Sequence, residues 1–274
     1  MLAWIIAVLM KMKNNMDVLD LELLKAHAIN KPKEFLYSHP EYHLSIWENL
    51  KLKYFVFLRE RGYSVAAITK HKEFYGLDFF VNKHVLIPRP DTELMVTEVI
   101  SEIKKTNEKI TLVDVGTGSG CISISTLKNL SEQIRTYAID ISRQALKVAK
   151  KNARTHDVNI NFFQGNLLEP ILKKISGKII VTANLPYLTE QQFQNEPTIA
   201  REPKNALVAA SNGLALYEEL LQQIKNYNLN AVIFLEIDPS QTEAITKLIS
   251  QYLPESKIEI KKDLGGLDRL VKIF

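Results

Sequence analysis

Beyond Lys109 the chain alternates short apolar runs with helical stretches, and that alternation limits its fold more than any other feature. Aliphatic and aromatic residues concentrate in Ile110–Val115, Arg135–Asp140, Ile160–Phe163, Lys178–Ala183 and Ala231–Glu236, which predicts a strand at each. Helices are expected between them, near Cys121–Leu130, Arg143–Thr155, Leu214–Lys225 and Gln241–Gln251. Parallel neighbours need a crossover connection that a helix supplies, so the pattern points to an α/β fold with a parallel sheet covered on both faces. Two late runs, Lys257–Lys262 and Leu267–Phe274, have no helix between them and are expected to pair antiparallel at one edge.

The chain ahead of the sheet reads differently. Leu19, Leu23 and Leu24, then Leu44, Trp47, Leu50, Tyr54 and Leu58, recur at helical steps from Asp17 to about Gly62. Pro32 and Pro40 divide this stretch into short helices. From Gly62 to Pro90 the pattern suggests a β-hairpin, Glu73–Asn82 pairing with Val85–Ile87 around an Asn82-Lys83-His84 turn. Ile87-Pro88-Arg89-Pro90-Asp91-Thr92-Glu93 follows, its prolines stiffening the backbone and Asp91 or Thr92 capping a helix to about Lys105. The expected domains are therefore a helical one over 1–62, a hairpin linker over 63–90 and the sheet domain over 91–274.

Composition removes some classes of function. In 274 residues there is one cysteine, Cys121, so no intrachain disulfide forms and a reducing cytoplasm is expected. A formal charge of +4, from 35 basic and 31 acidic residues, is too small to argue for nucleic acid. Met1–Met10 is almost wholly apolar but shorter than the roughly 20 residues of a spanning helix. Its lysines, Lys11 and Lys13, follow the apolar run, the reverse of a secretory signal. The expectation is an overlong start, with Met12 or Met16 as the true beginning and no membrane association; a short amphipathic or membrane-touching tail is the alternative.

The strand ends carry the candidate chemistry. Val113-Asp114-Val115-Gly116-Thr117-Gly118-Ser119-Gly120-Cys121 is a strand entering a glycine turn and a helix, where glycine lets a backbone approach a ligand closely. The next strand ends in Asp140, about 20 residues past the last glycine, where parallel-sheet nucleotide sites hold a ribose. Asp140 can also cap the helix beginning near Ser142. The fourth strand ends in Asn184-Leu185-Pro186-Tyr187. Asn184 both donates and accepts hydrogen bonds, Pro186 removes a donor, and Tyr187 adds a flat face, so the loop can hold a planar NH2 group.

These stretches together resemble a known family. The glycine turn, Asp140 and Asn184-Leu185-Pro186-Tyr187 look like the motifs of S-adenosylmethionine-dependent amino methyltransferases, which hold a target nitrogen in N-P-P-Y, D-P-P-Y or N-L-P-Y loops. Glu73-Phe74-Tyr75-Gly76 and Ile87–Glu93 are similar to the linker of the release-factor glutamine methyltransferases, the HemK/PrmC family. Glu202-Pro203, Ala206-Leu207, Gly213-Leu214, Tyr217, Leu235-Glu236-Ile237, Gln241, Asp263-Leu264, Gly266 and Asp268-Arg269 match that family's later motifs. The resemblance covers about Asp17 to the C-terminus.

It implies a Rossmann-like class I methyltransferase sheet and transfer of a methyl group from S-adenosyl-L-methionine to a glutamine side-chain amide. The glutamine is that of the Gly-Gly-Gln motif of class-1 peptide chain release factors. Asn184, Pro186 and Tyr187 are then catalytic, and Asn184, Leu185, Pro186 and Tyr187 hold the substrate. Gly116, Thr117, Gly118, Ser119, Gly120, Asp140, Asn166, Leu167 and Asn184 hold the cofactor. No metal is implied, the N-terminal helices are the substrate-docking part, and a cytoplasmic monomer acting on no nucleic acid is expected. Leu185 replaces the usual proline, and Asn166-Leu167 replaces an acidic and an aromatic residue. The second change predicts weaker cofactor binding, which Leu167→Trp would tighten.

Two alternatives stand beside this reading. N-L-P-Y also resembles the rRNA adenine dimethylases, although their first motif usually begins with Glu and they lack the Pro-Arg-Pro linker. An inactive methyltransferase fold acting as a binding module is the other.

Overall fold

The computed structural model of the protein describes residues 16–274 apart from Asn107, so the Met1–Met10 segment lies outside the described residues. The chain divides into two compact units, one ending at Lys70 and the other beginning at His71.

The first unit is helical, with α1 (Val18–Ala28), α2 (Lys33–Ser38), α3 (Ile46–Glu60) and α4 (Val65–Thr69). Its helix starts are set by side-chain caps. Asp17 accepts from Leu19 N, Ser64 accepts from Ala67 N, and Ser45 and Glu48 form a reciprocal capping box. Pro32 precedes α2, where its missing N–H costs nothing. Arg59 Nε reaches Asp20 Oδ2 at 2.6 Å and ties α3 to α1. The predicted periodicity of Trp47, Leu50 and Tyr54 does place a helix, but those three side chains are exposed, whereas Leu24 and Ala28 of α1 are buried.

The second unit opens with a hairpin, β1 (His71–Phe74) and β2 (Leu77–Phe80), paired antiparallel. Its position corrects the expected one. The turn is Tyr75-Gly76, with φ of 52° and 72°, the left-handed pair that a two-residue hairpin turn requires. Asn82-Lys83-His84 also turns, the Asn82 side chain accepting from His84 N, but Val85–Ile87 pairs with no strand.

Helix α5 (Glu93–Lys104) then leads into β3 (Ile110–Val115), α6 (Cys121–Lys128), β4 (Arg135–Asp140), α7 (Arg143–Thr155) and β5 (Asn161–Gln164). After β6 (Lys178–Ala183) come α8 (Glu190–Asn195), α9 (Ala215–Asn226), β7 (Ala231–Glu236) and α10 (Thr242–Tyr252), then β8 (Ile258–Lys262) and β9 (Asp268–Ile273). These strands form a seven-stranded sheet in the order β5-β4-β3-β6-β7-β9-β8. It is parallel except where β9 pairs antiparallel with β7 and β8, as the two closing runs suggested.

One core lies on each face of the sheet. Val113, Val181, Tyr217 and Ile245 belong to one, and Leu112, Ile180, Val96 and Phe234 to the other. The hairpin packs into the second core through Phe74 and Phe79, both almost fully buried. Central strands covered on both faces explain why their sequences read as near-continuous apolar runs rather than alternating ones.

Strand register positions the site. Ile139, Val115, Ala183 and Leu235 are consecutive neighbours across β4, β3, β6 and β7. The next residue on each strand therefore falls in one row at the carboxyl end of the sheet: Asp140, Gly116, Asn184 and Glu236. The chain order reverses between β3 and β6, the crevice where open α/β sheets bind ligands.

Candidate active site

A cavity of about 330 Å³ opens over this row. Of the residues singled out from the sequence, Gly116, Thr117, Gly118, Ser119, Asp140, Asn166, Leu167, Asn184, Leu185 and Pro186 line it. Gly120 and Tyr187 do not. Gly120 (φ 82°) precedes α6, and a Cβ there would come within 2.9 Å of Ile124 Cδ1 and 3.3 Å of Ala149 Cβ, so it serves close helix packing.

Two carboxylates at strand ends shape the glycine turn. Asp114 is fully buried and accepts the Thr117 hydroxyl at 2.7 Å and the Thr182 hydroxyl at 2.9 Å. Burial raises its pKa, and those hydroxyls work against the rise. Asp140 accepts Gly118 N at 2.9 Å through Oδ2 and Ser142 N at 2.8 Å through Oδ1. Its pKa is likewise raised by burial and lowered by both backbone donors. The cap of α7 is Ser142, which accepts from Ala145 N, so Asp140 ties the turn to the strand end rather than capping the helix itself.

Several contributors were not found by sequence reasoning. Asn152 of α7, 1% exposed, donates to Ser119 O at 2.8 Å and exchanges hydrogen bonds with the Phe80 backbone, joining hairpin to glycine turn. A polar residue on the apolar side of an amphipathic helix was the available signal. Glu219 of α9 accepts from Asn166 Nδ2 at 2.5 Å. An ionised carboxylate only accepts, so the Asn166 amide is turned with Oδ1 away from Glu219 and free to accept. Gln223 Oε1 accepts Leu168 N at 2.9 Å from the same helix. Leu167, at φ 46°, is 5% exposed and shared between the cavity wall and the core.

The loop after β6 is held from many directions. Asn184 Nδ2 donates to the Thr92 hydroxyl at 3.1 Å, which leaves Asn184 Oδ1 as an acceptor. Leu185, 4% exposed, packs on the glycine turn, since a Cβ at Gly116 would lie 2.9 Å from Leu185 Cδ2. The Leu185 carbonyl faces Tyr217 Oη at 3.5 Å, and the same hydroxyl donates to Glu236 O. Tyr187 Oη donates to Glu236 Oε1 at 3.3 Å, and burial together with the Glu236 charge raises its pKa. Gln241 Nε2 donates to Tyr187 O at 2.9 Å and Asn212 O at 2.8 Å. Gly213 (φ 84°) passes so close that a Cβ would sit 1.9 Å from Tyr187 O.

The later sequence motifs thus surround one short loop. Arg269 stands behind it, pairing with Asp263 at 3.1 Å and Asp91 at 3.5 Å, and its charge acts on both Tyr187 and Glu236. Glu202 accepts Ile87 N at 3.0 Å and pairs at 2.5 Å with Arg89, which lines the cavity, joining the Pro-Arg-Pro stretch to the segment after α8. Among the described residues no cluster of His, Cys, Asp and Glu suits a metal ion, and no helix is long and apolar enough to cross a membrane.

A family model described as Methyltransferase small domain matches residues 91–211. The release factor glutamine methyltransferase of Bacillus anthracis is 31% identical over 255 residues, 91% of this chain and 90% of the relative. That of Enterococcus faecalis is 41% identical over 212 residues, 76% of this chain and 74% of the relative. That of Mycoplasma mycoides is 34% identical, covering 97% of this chain and 98% of the relative. Among solved structures, the hMettl16 catalytic domain in complex with MAT2A 3'UTR hairpin 1 is similar in fold at a TM-score of 0.59, covering 89% of this chain and 92% of that one. At 13% identity that likeness concerns the fold alone. With relatives above 30% identity spanning nearly the whole of both chains, this chain belongs to the release factor glutamine methyltransferase family of S-adenosylmethionine-dependent methyltransferases.

Proposed function

We propose that this chain transfers a methyl group from S-adenosylmethionine to the side-chain amide nitrogen (N5) of the glutamine in the Gly-Gly-Gln motif of class-1 release factors. The observation that carries the reading is the Asn184 amide. Its Nδ2 donates to Thr92, and in that orientation its Oδ1 is the group offered to an incoming NH2 beside the glycine turn.

The residues present fit the cofactor. The turn offers close backbone approach, Asp140 keeps free lone pairs toward ribose hydroxyls, and Asn166 Oδ1 can accept from the adenine amino group. Leu167, Ile141 and Leu216 supply apolar wall for a flat base. Gly116, Thr117, Gly118, Ser119 and Asn184 complete the cradle, with Gly120 setting the helix behind it. Bound there, S-adenosylmethionine would supply an electrophilic methyl together with its own leaving group, and the proton lost from the nitrogen would pass to water.

The protein's task is orientation. An amide nitrogen is a poor nucleophile, because its lone pair is delocalised into the carbonyl. Holding both N–H bonds turns the lone pair toward the methyl and withdraws the nitrogen from that conjugation. Asn184 Oδ1 takes one N–H. The backbone carbonyl of Leu185 or Pro186 takes the other. Tyr187 acts from behind the loop through its bond to Glu236 rather than on the cavity wall. Leu185 also has a packing reason against Gly116, which removes the ground for preferring a base as substrate.

The N-terminal helices are assigned to docking of the protein substrate, the hairpin to the linker, and the protein to a monomer acting in the cytoplasm. Incubation with a purified release factor and labelled cofactor, followed by mass mapping, tests the reading. Label on the Gly-Gly-Gln peptide is expected. An unlabelled release factor from a chain that binds the cofactor would overturn it.

A further inference from the structure

Glu236 serves Tyr187 through one oxygen only, yet it is 2% exposed and stands beside Asn184 in the row of strand ends. Burying a carboxyl is costly unless both oxygens are partnered. Oε1 accepts from Tyr187, whereas Oε2 has no hydrogen-bond partner among the described residues. Facing it is Thr92, also 2% exposed, whose hydroxyl acts on the Glu236 carboxyl and accepts the Asn184 amide at 3.1 Å. A hydroxyl that accepts one bond still has a proton to donate. The Glu236 carboxyl, on which this hydroxyl acts and whose Oε2 is unpartnered, is the acceptor available to it.

We propose that Glu236 is a positioning residue for methyl transfer: its carboxylate accepts a hydrogen bond from the Thr92 hydroxyl, which keeps the Thr92 oxygen an acceptor toward Asn184 Nδ2 and Asn184 Oδ1 turned toward the substrate amide. This rests on the glutamine reading given above. The need for such a device is chemical. Asn184 is nearly symmetric in shape, and a flipped amide would set its own NH2 against the substrate NH2, donor against donor. Threonine alone does not prevent the flip, since its hydroxyl donates as readily as it accepts. A carboxylate behind it accepts only, and so fixes the direction of the whole chain of hydrogen bonds.

Protonation reverses that direction. A neutral Glu236 carries a proton that it can donate to Thr92, which then donates to Asn184 Oδ1 and turns Asn184 Nδ2 toward the substrate. Burial raises the Glu236 pKa to about 7, with Thr92, Arg269 and Tyr187 opposing the rise and Asp91 adding to it. The other groups coupled to this cluster are Tyr187, Tyr217 and Cys121, all raised mainly by burial, with Cys121 at about 12, and Asp238 beside Tyr187. Arg269 is raised and stays charged. Glu236 is the group placed to change charge near neutrality.

The test uses the full chain. By NMR, the Asn184 side-chain amide protons of the free protein are expected to shift between pH 6 and pH 8, with a midpoint near that of Glu236, and to lose this titration in Glu236→Gln. In the transfer assay, kcat of the wild type is expected to rise about tenfold across the same interval. Glu236→Gln should lower kcat at pH 8 about 10- to 100-fold and abolish the pH limb, with S-adenosylhomocysteine affinity within about twofold. Thr92→Val breaks the relay without altering the buried acid. It should lose kcat similarly, and Thr92→Ser should recover at least about tenfold of that loss. An Asn184 amide that does not move with pH, or moves equally in Glu236→Gln, overturns the relay whatever the substrate. A wild type that leaves release factor unmethylated while its Asn184 amide titrates overturns the substrate and supports the relay.

Discussion

Two halves of one sheet edge do different work and are built by different means. On the β3–β4 side, the glycine turn is organised over short sequence distances by Asp114 and Asp140, carboxylates at the ends of the strands that flank it. On the β6–β7 side, Asn184-Leu185-Pro186-Tyr187 is held by Thr92, Gly213, Tyr217, Glu236 and Gln241, drawn from widely separated stretches. In the proposed reading the first half recognises a ligand through backbone that any glycine turn supplies. The second must hold one side-chain amide in one of two nearly equivalent orientations, and that takes an asymmetric environment. Precision at Asn184 is therefore distributed, whereas the cofactor half is local.

The sharpest break between the halves is expected at Asn184→Ala. Transfer should fall about 10²- to 10³-fold, as when one preorganised polar group is lost from a reaction centre, and the loss in kcat should exceed any loss in cofactor affinity. Equal losses in both would merge the halves.

Stability against pH separates them next. Glu236 is an acid whose folded pKa, about 7, lies above its ordinary value of 4.5. Folding then binds a proton between those values, so its ionisation costs stability progressively as pH rises from about 4.5 through about 7, and nothing below. The full cost is on the order of 3 kcal/mol. Glu236→Gln should therefore raise Tm at pH 8 and do so much less at pH 5, while lowering activity. A gain independent of pH would show that the carboxyl is not carrying that penalty.

Asp140→Ala removes an acceptor of two backbone N–H groups, and cofactor affinity measured by calorimetry should fall about 10- to 100-fold. Gly213→Ala acts on the other half alone. A Cβ 1.9 Å from Tyr187 O cannot be absorbed without moving the loop, and about 1–3 kcal/mol of stability should be lost together with transfer. The smallest effect is expected at Glu219→Ala. The Asn166 amide becomes free to flip, which costs about 1 kcal/mol of cofactor affinity and narrows the preference for adenine over a hypoxanthine analogue.

The same contrast explains what could be read without coordinates. Strands β3, β4, β6 and β7 have the limits that the apolar runs predicted, because strands buried on both faces leave no polar alternation to confuse their ends. The glycine turn and Asp140 were readable because their partners lie on adjacent strands of one βαβ unit. The hairpin was misplaced because Asn82-Lys83-His84 has turn chemistry too, and only the φ values of Tyr75 and Gly76 distinguish them. Gly213, Tyr217, Glu236, Gln241 and Arg269 were visible as a motif but mute about role. That Thr92, just ahead of α5, and Glu236, at the end of β7, both come to Asn184 depends on tertiary packing, which spacing along the chain does not encode. Trp47, Leu50 and Tyr54 repeat like a core stripe and yet are exposed, since periodicity reports a helix and not what covers it.

The most direct measurement places a purified release factor and rRNA in one reaction with labelled S-adenosylmethionine and follows where the label goes. Label is expected on the Gly-Gly-Gln glutamine of the release factor and to depend on Asn184. Label confined to the rRNA, or label on the release factor that survives Asn184→Ala, would contradict the role given to this loop.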